Sequence, residues 1–321
     1  SIIFIGLAIV FGWINRISGN RRMAFIISSV VGVILMYAVA FLGVRIPINF
    51  GYATWIFILM AYAFVASVTP VSFLLQPRDY LSSFLLYGLI LFGVAGVILV
   101  NPEIQMSNEI RMHSDTLGYI FPVLFVTIAC GAISGFHSLV ASGTTSKQVD
   151  REKDAKPIGY GGMLIESFLA ILSVCAVVVI SREDYMTQLT EAGPVTMFAD
   201  GLGGIIASIG VEPQFAITFV ALTVSAFALT TLDTCTRLAR FTFQEYFERE
   251  KPGNIPPIMT NRFFATGIVV VLSVLFLLSG EFTTLWPIFG SANQLLAALA
   301  LLAVSVWLIK EDVKPAFVLI P

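Results

Sequence analysis

The chain has 321 residues, 57% of them hydrophobic and only 12% charged, about half the charged fraction of an average soluble domain. A formal net charge of −2, with no aromatic-interleaved basic patch, excludes a nucleic-acid-binding surface. Cys130, Cys175 and Cys235 all sit in apolar runs without metal-ligand spacing, which excludes a metal centre or a disulfide framework.

What remains is an all-α integral membrane protein whose first partner is the lipid bilayer. A spanning helix needs about 20 apolar residues, and nine segments approach that length in a single transmembrane domain. They fall at 1–14, 23–44, 54–75, 82–100, 117–141, 158–180, 214–236, 263–280 and 284–309. The first is short and opens on Ser1. It reads as the remainder of a longer helix, so additional N-terminal helices or a further subunit are expected to complete the bundle.

Loop charges set the orientation. Fifteen basic residues, from Arg16 to Lys314, fall on one side of this segmentation, and only Arg45, Arg111 and Arg182 on the other. Basic loops stay in the cytoplasm, so the C-terminus is expected inside. The long external connection at 181–213, with Gly193-Pro194 and Gly201-Leu-Gly-Gly204, reads as an interfacial helix or a re-entrant lid.

Polar interruptions then follow in chain order. Thr69-Pro70 breaks the third segment; proline removes an amide donor and clashes with the turn before it. Freed carbonyls at Val65 to Thr69 can coordinate a cation or a substrate group, and a plain proline kink is the structural alternative. Arg78 and Asp79, in Gln76-Pro-Arg-Asp-Tyr80, read as an interfacial anchor with a local ion pair.

In the fifth segment, Ser134, Gly135, His137 and Ser138 fall within one helical turn or so near the cytoplasmic end. Lipid cannot satisfy an imidazole or a freed backbone group, so the stretch needs protein or a wet cavity around it. An imidazole also exchanges protons in the working pH range. The alternative is a small-residue packing stripe with His137 bonded to a neighbouring helix.

Glu166 lies eight positions past Ile158, about 12 Å into the sixth segment at helical rise. A carboxylate at that depth must be paired, protonated or wet, unless residues 158–162 are loop and Glu166 is interfacial. Asp233, in Thr230-Thr-Leu-Asp-Thr-Cys-Thr236, precedes Arg237 by four residues, the favourable spacing for a helical ion pair. Such a pair is either a structural device or part of a coupling site. In the last segment Trp286 reads as an outer anchor, and Asn293 and Gln294 as helix-linking amides.

Several of these stretches together closely resemble the carbon starvation protein A family. They are Gln76-Pro-Arg-Asp-Tyr80, Cys130-Gly-Ala-Ile-Ser-Gly-Phe-His137, Ser142-Gly-Thr-Thr145, Gly159-Tyr-Gly-Gly-Met163, Glu166-Ser167 and Leu285-Trp-Pro-Ile-Phe-Gly290 with Asn293-Gln294. The resemblance runs in order along nearly the whole chain. It implies an inner-membrane secondary transporter for peptides or pyruvate with proton coupling. It also implies a leucine-transporter-like inverted-repeat fold, in which Thr69-Pro70 and the Ser134–Ser138 turn face the pathway. The family's Gly-His-His-Phe and Gly-Pro-rich N-terminal stretch does not occur in this sequence.

The reading is therefore a secondary active importer of peptides or pyruvate-like carboxylates, not an enzyme, needing no cofactor. The driving ion is expected to be H+, with Na+ as second choice. Thr69, Pro70, Ser134, Gly135, His137 and Ser138 are the expected substrate or ion contacts. His137, Glu166 and Asp233 are the expected proton-coupling groups. A passive channel or a membrane nutrient sensor is the alternative, although no like-charged ring or filter repeat favours a pore.

Overall fold

A computed structural model of the chain describes residues 2–17, 22–45, 50–106, 112–114, 118–122, 124, 133–250, 258–280 and 282–320. Arg21, Arg111 and Lys251 of the charge asymmetry, and Cys130 and Gly131 of the fifth segment, lie outside these residues.

The described helices are α1 Ile2–Ile17, α2 Arg22–Arg45, α3 Tyr52–Val68, α4 Val71–Val100, α5 Gly135–Gly143, α6 Glu152–Val178, α7 Arg182–Glu191, α8 Pro194–Ala207, α9 Pro213–Glu250, α10 Arg262–Ser279, α11 Phe282–Lys310 and α12 Ala316–Leu319. A two-residue antiparallel pairing joins β1 His113–Ser114 to β2 Gly118–Tyr119. Among the described residues six helices, α2, α4, α6, α9, α10 and α11, are long and apolar enough to cross a membrane, and α1, α3 and α8 are shorter apolar helices. The chain is a multi-pass helical membrane protein.

Two compact units emerge from the contacts. One combines residues 1–108 with 163–270, the other residues 109–162 with 271–321. In the first, α9 packs against α2, α3, α4 and α8, while α1 packs on α2 and α4. Its core follows helical spacing. Phe4, Ala8 and Phe11 of α1 meet Leu81, Leu85 and Leu89 of α4, with Leu172 and Ala176 of α6, Leu202 and Ile206 of α8, and Phe219 and Val220 of α9 in the same cluster. The sets on α1, α4, α6 and α8 recur every three or four residues, so one stripe of each of these helices turns inward. Lipid is as apolar as leucine, so this stripe gains from close packing rather than from escaping water.

Close packing is where the glycines act. A Cβ at Gly201 would collide with the carbonyl oxygen of Ala176, and one at Gly203 would come within 2.8 Å of the Ile217 Cα. Helix α8 therefore lies directly on α6 and α9. The 181–213 connection is a short helix, α7, followed by this packed helix, whose Met197, Ala199, Leu202, Ile205 and Ile206 are buried. Its small residues form a packing face.

Three boundaries differ from the hydropathy segments. The third segment stops at Val68, and α4 starts at Val71 and continues for 30 residues. It absorbs Gln76 to Tyr80, which hydropathy assigns to a loop. Among the described residues of the expected span at 117–141, Gly118–Tyr119 is strand-paired and Ser134 is extended ahead of a helix that begins at Gly135. The seventh segment extends as α9 to Glu250, 38 residues in all and about 57 Å long.

In the second unit α5 packs on α11, and α12 folds back on α11. A Cβ at Gly135 would run into the Asn293 carbonyl oxygen, so glycine is required where the two helices touch.

A bulky side chain at a packed glycine overfills the interface, which costs roughly 1–3 kcal/mol. Gly201→Val is expected to lower the thermal unfolding midpoint of the detergent-purified protein. The same change at Gly204, which faces open space, is expected to leave it nearly unaltered.

Candidate functional site: a buried charge network at the broken end of α3

Pro70 has no amide hydrogen, and the residue before a proline is driven out of helical conformation. Thr69 accordingly adopts φ −74° and ψ 146°, ending α3. The Thr69 amide and hydroxyl both donate to the Val65 carbonyl, at 3.0 and 2.7 Å. The carbonyls that follow have no helical partner, and they lie in a chain region where water is scarce.

Two arginines of α9 fill that vacancy. Arg237 Nη2 donates to the carbonyls of Ala66 and Thr69, at 2.5 and 2.8 Å. Arg240 Nη1 donates to the Ser67 carbonyl at 2.7 Å. Both side chains are only 5% exposed. A cation at a helix C-terminus also meets the negative end of the helix dipole. The free carbonyls expected before Pro70 thus exist, and guanidinium groups occupy them.

One turn away, Arg78 of α4 is fully buried. Its Nη1 donates to Asp233 Oδ2 of α9 and to the Tyr62 hydroxyl of α3. Its Nη2 donates to Asp79 Oδ1 and Thr230 Oγ1, each at 3.1 Å. Tyr62 in turn donates to Asp233 Oδ2 at 2.9 Å, and Thr230 donates to Asp79 Oδ1 at 3.0 Å. Ser67 and Thr266, at 3.4 Å, link the same end of α3 to α10.

This corrects two sequence expectations. Arg78 forms the expected local ion pair with Asp79 but is buried rather than an interfacial anchor, and Asp233 spends its charge on Arg78 rather than on Arg237 four residues on. Geometry decides the second point: Arg237 reaches the α3 carbonyls, which leaves Asp233 to the guanidinium of α4. Asp233 Oδ1 remains buried without a hydrogen-bond partner. That oxygen can accept a proton without any other bond having to break.

Of the predicted residues, Thr69, Pro70 and Asp233 converge on this network. Glu166 does not belong to it and is exposed on α6. Ser134, Gly135, His137 and Ser138 open α5 in the other unit. Ser134 caps that helix, accepting from the His137 amide at 3.4 Å, and its hydroxyl donates to Asn293 Oδ1 at 3.3 Å. The Phe136 amide donates to the same Oδ1 at 2.7 Å. Asn293 therefore links α11 to α5, and the His137 side chain is exposed.

Sequence reasoning missed Tyr62 and the roles of Arg237 and Arg240. One signal was present: Asp233, Arg237 and Arg240 are spaced four and three apart, which stacks them on one helical face. Removing one member of a buried ion pair strands the other, at a cost of about 3–5 kcal/mol. Arg78→Met alone is expected to destabilise the protein strongly. Adding Asp233→Leu should restore much of the loss, so a double-mutant cycle on thermal stability should show the two effects far from additive.

The family described as carbon starvation protein CstA matches the chain over residues 1–191 and 186–321. The peptide transporter CstA of Helicobacter pylori (strain ATCC 700392 / 26695) is 34% identical over 379 aligned residues, covering 95% of this chain and 54% of its own length. The peptide transporter CstA of Escherichia coli (strain K12) is 35% identical over 322, covering 80% and 45%. The pyruvate/proton symporter BtsT of the same organism is 32% identical over 376, covering 88% and 51%. No solved structure matches. The chain spans about half the length of these relatives; with its residues matched end to end, it belongs to the carbon starvation protein CstA family.

Proposed function

We propose that this chain is part of a proton-coupled secondary active transporter that imports peptides or pyruvate-like small carboxylates. The membrane would be the inner membrane, with the C-terminus cytoplasmic. The observation that carries the reading is the fully buried Arg78–Asp233 pair between two membrane-crossing helices. Ionisable groups are rare in such helices and mark ion or substrate pathways. The names of the relatives, peptide transporters and a pyruvate/proton symporter, supply the substrate class.

The mechanism follows from the bonds. Asp233 is the coupling acid, and a proton on its open Oδ1 removes the charge that holds Arg78 Nη1 and Tyr62. Arg78 keeps Asp79 of its own helix and Thr230 of α9, so α4 and α9 stay linked while the charged part of that link is lost. Helix α3, which carries Tyr62 and the Thr69-Pro70 break, is then held less tightly at Tyr62, while Arg237 and Arg240 keep their bonds to its end. A two-state element biased by a proton is the basis of coupled transport. His137 and Glu166 are second candidates for the proton path, and Ser134, Gly135 and Ser138 for contact with substrate or ion.

A leucine-transporter-like arrangement is part of the same reading. Its support is a helix interrupted at Thr69-Pro70 with polar groups converging on the break, as discontinuous helices do at transporter binding sites. The charge asymmetry supports the orientation. Three of its fifteen cytoplasmic charges, Arg78, Arg237 and Arg240, are buried within helices, and the bias persists without them.

Uptake of labelled pyruvate and of a short peptide into proteoliposomes, under an imposed pH gradient and then a sodium gradient, tests this. The intact protein is expected to accumulate one of them above equilibrium under the pH gradient. Asp233→Asn is expected to abolish accumulation while exchange of substrate between the two sides persists. Accumulation by Asp233→Asn at the wild-type level would remove Asp233 from the mechanism. An unchanged pH profile in His137→Ala or Glu166→Gln would do the same for those residues. Uptake that only equilibrates would point to a passive pore.

A further inference from the structure

We propose that the guanidinium groups of Arg237 and Arg240, at the broken end of α3, form the subsite that takes the carboxylate of the substrate. The group bound is a single carboxylate, whether it belongs to a small keto acid or to the C-terminus of a peptide. The proposal rests on the transporter reading above.

Charge carries the argument first. The buried Arg78, Arg237 and Arg240 bring three positive charges to one region, and the buried Asp233 and the partly exposed Asp79 bring two negative ones. Both carboxylates are bonded to Arg78. Among the described residues, no carboxylate forms a salt bridge with Arg237 or Arg240. Their recorded partners are the carbonyls of Ala66, Ser67 and Thr69 and, for Arg240, the face of the Phe241 ring at 4.5 Å. The end of a helix offers about half an elementary negative charge, against two full positive charges. A buried cation without an anion is costly, and the helix end alone could be capped by neutral donors. The balance is positive, which is the complement of a carboxylate.

Unused hydrogen-bond capacity points the same way. Nε of Arg237 and Nε of Arg240 are both buried and have no partner. A guanidinium presents its donors as a fixed planar fork that matches the two oxygens of a carboxylate. Two such forks lie three residues apart on one face of α9, where side chains are neighbours. Arg237 is already held at Nη2 by two backbone carbonyls and Arg240 at Nη1 by one, so little side-chain freedom is lost when an anion arrives.

The test compares acids with their neutral amides on the intact, purified protein. Pyruvate and pyruvamide, and trialanine and trialanine amide, are titrated by calorimetry and by shift of the unfolding midpoint. One acid is expected to bind at least roughly tenfold tighter than its amide, the difference a charge-assisted bond makes. The pair that shows the difference identifies a keto acid or a peptide as the source. Arg240→Gln, which keeps a donor for the Ser67 carbonyl but loses the charge, is expected to bring the acid-to-amide ratio close to one. Arg240→Lys is expected to fall between. Equal binding of acid and amide by the wild-type protein overturns the proposal, and this needs no variant to fold. A folded Arg240→Gln protein with the wild-type ratio overturns it as well. Loss of concentrative uptake with the acid preference intact would overturn the transport reading and leave the carboxylate site standing.

Discussion

Backbone carbonyls left unpaired in a membrane are the constraint from which the rest of this structure follows. Pro70 ends α3 inside an apolar region, and three carbonyls there need donors that water and the helix itself do not supply. Guanidinium groups from α9 provide them. That solution places cations in the interior, and it fixes α9 against α3 along the face that also bears Asp233. The ion pair with Arg78 then joins α4 to the same assembly, so three helices are registered by one set of polar bonds.

Around this polar centre the packing is made by small residues. Gly201 and Gly203 bring α8 into contact with α6 and α9, and Gly96 of α4 lies against Ile205 of α8. The apolar core and the charge network occupy different parts of α4 and α9. Leu81, Leu85 and Leu89 pack with α1 and α8, whereas Arg78 turns toward α3 and α9. Each helix thus has an apolar face that sets its position and a polar face that sets its state.

Much of this was legible in the sequence. Composition gave the membrane class. The Thr69-Pro70 pair marked the helix break, since no other residue removes a donor and biases its neighbour in the same place. Ser134, ahead of Gly135, is a helix cap by residue type, and it acts as one. The burial of Arg78 was not legible. Its neighbours Gln76, Pro77 and Asp79 have the look of a loop, and the residue that holds it inside is 155 positions away. Local pattern sees helices and breaks; it does not see a partner on another helix. The same gap hid Tyr62, which is an ordinary aromatic residue until Arg78 and Asp233 meet its hydroxyl. Within residues 181–213 the roles of Gly201 and Gly203 were hidden in the same way, because glycines that look like loop punctuation are contact points for neighbouring helices.

Helix α9 is unbroken from Pro213 to Glu250. Asp233, Arg237 and Arg240 form a row along it about 10 Å long, and an uninterrupted helix of this kind behaves as a stiff rod. The three side chains cannot shift independently by more than their own rotamers permit. A tilt or slide of the rod that takes Asp233 away from Arg78 also draws both arginines across the end of α3. Communication between the acid and the helix break is thereby mechanical, carried by the rigidity of one element, with no chain of intermediate residues to maintain.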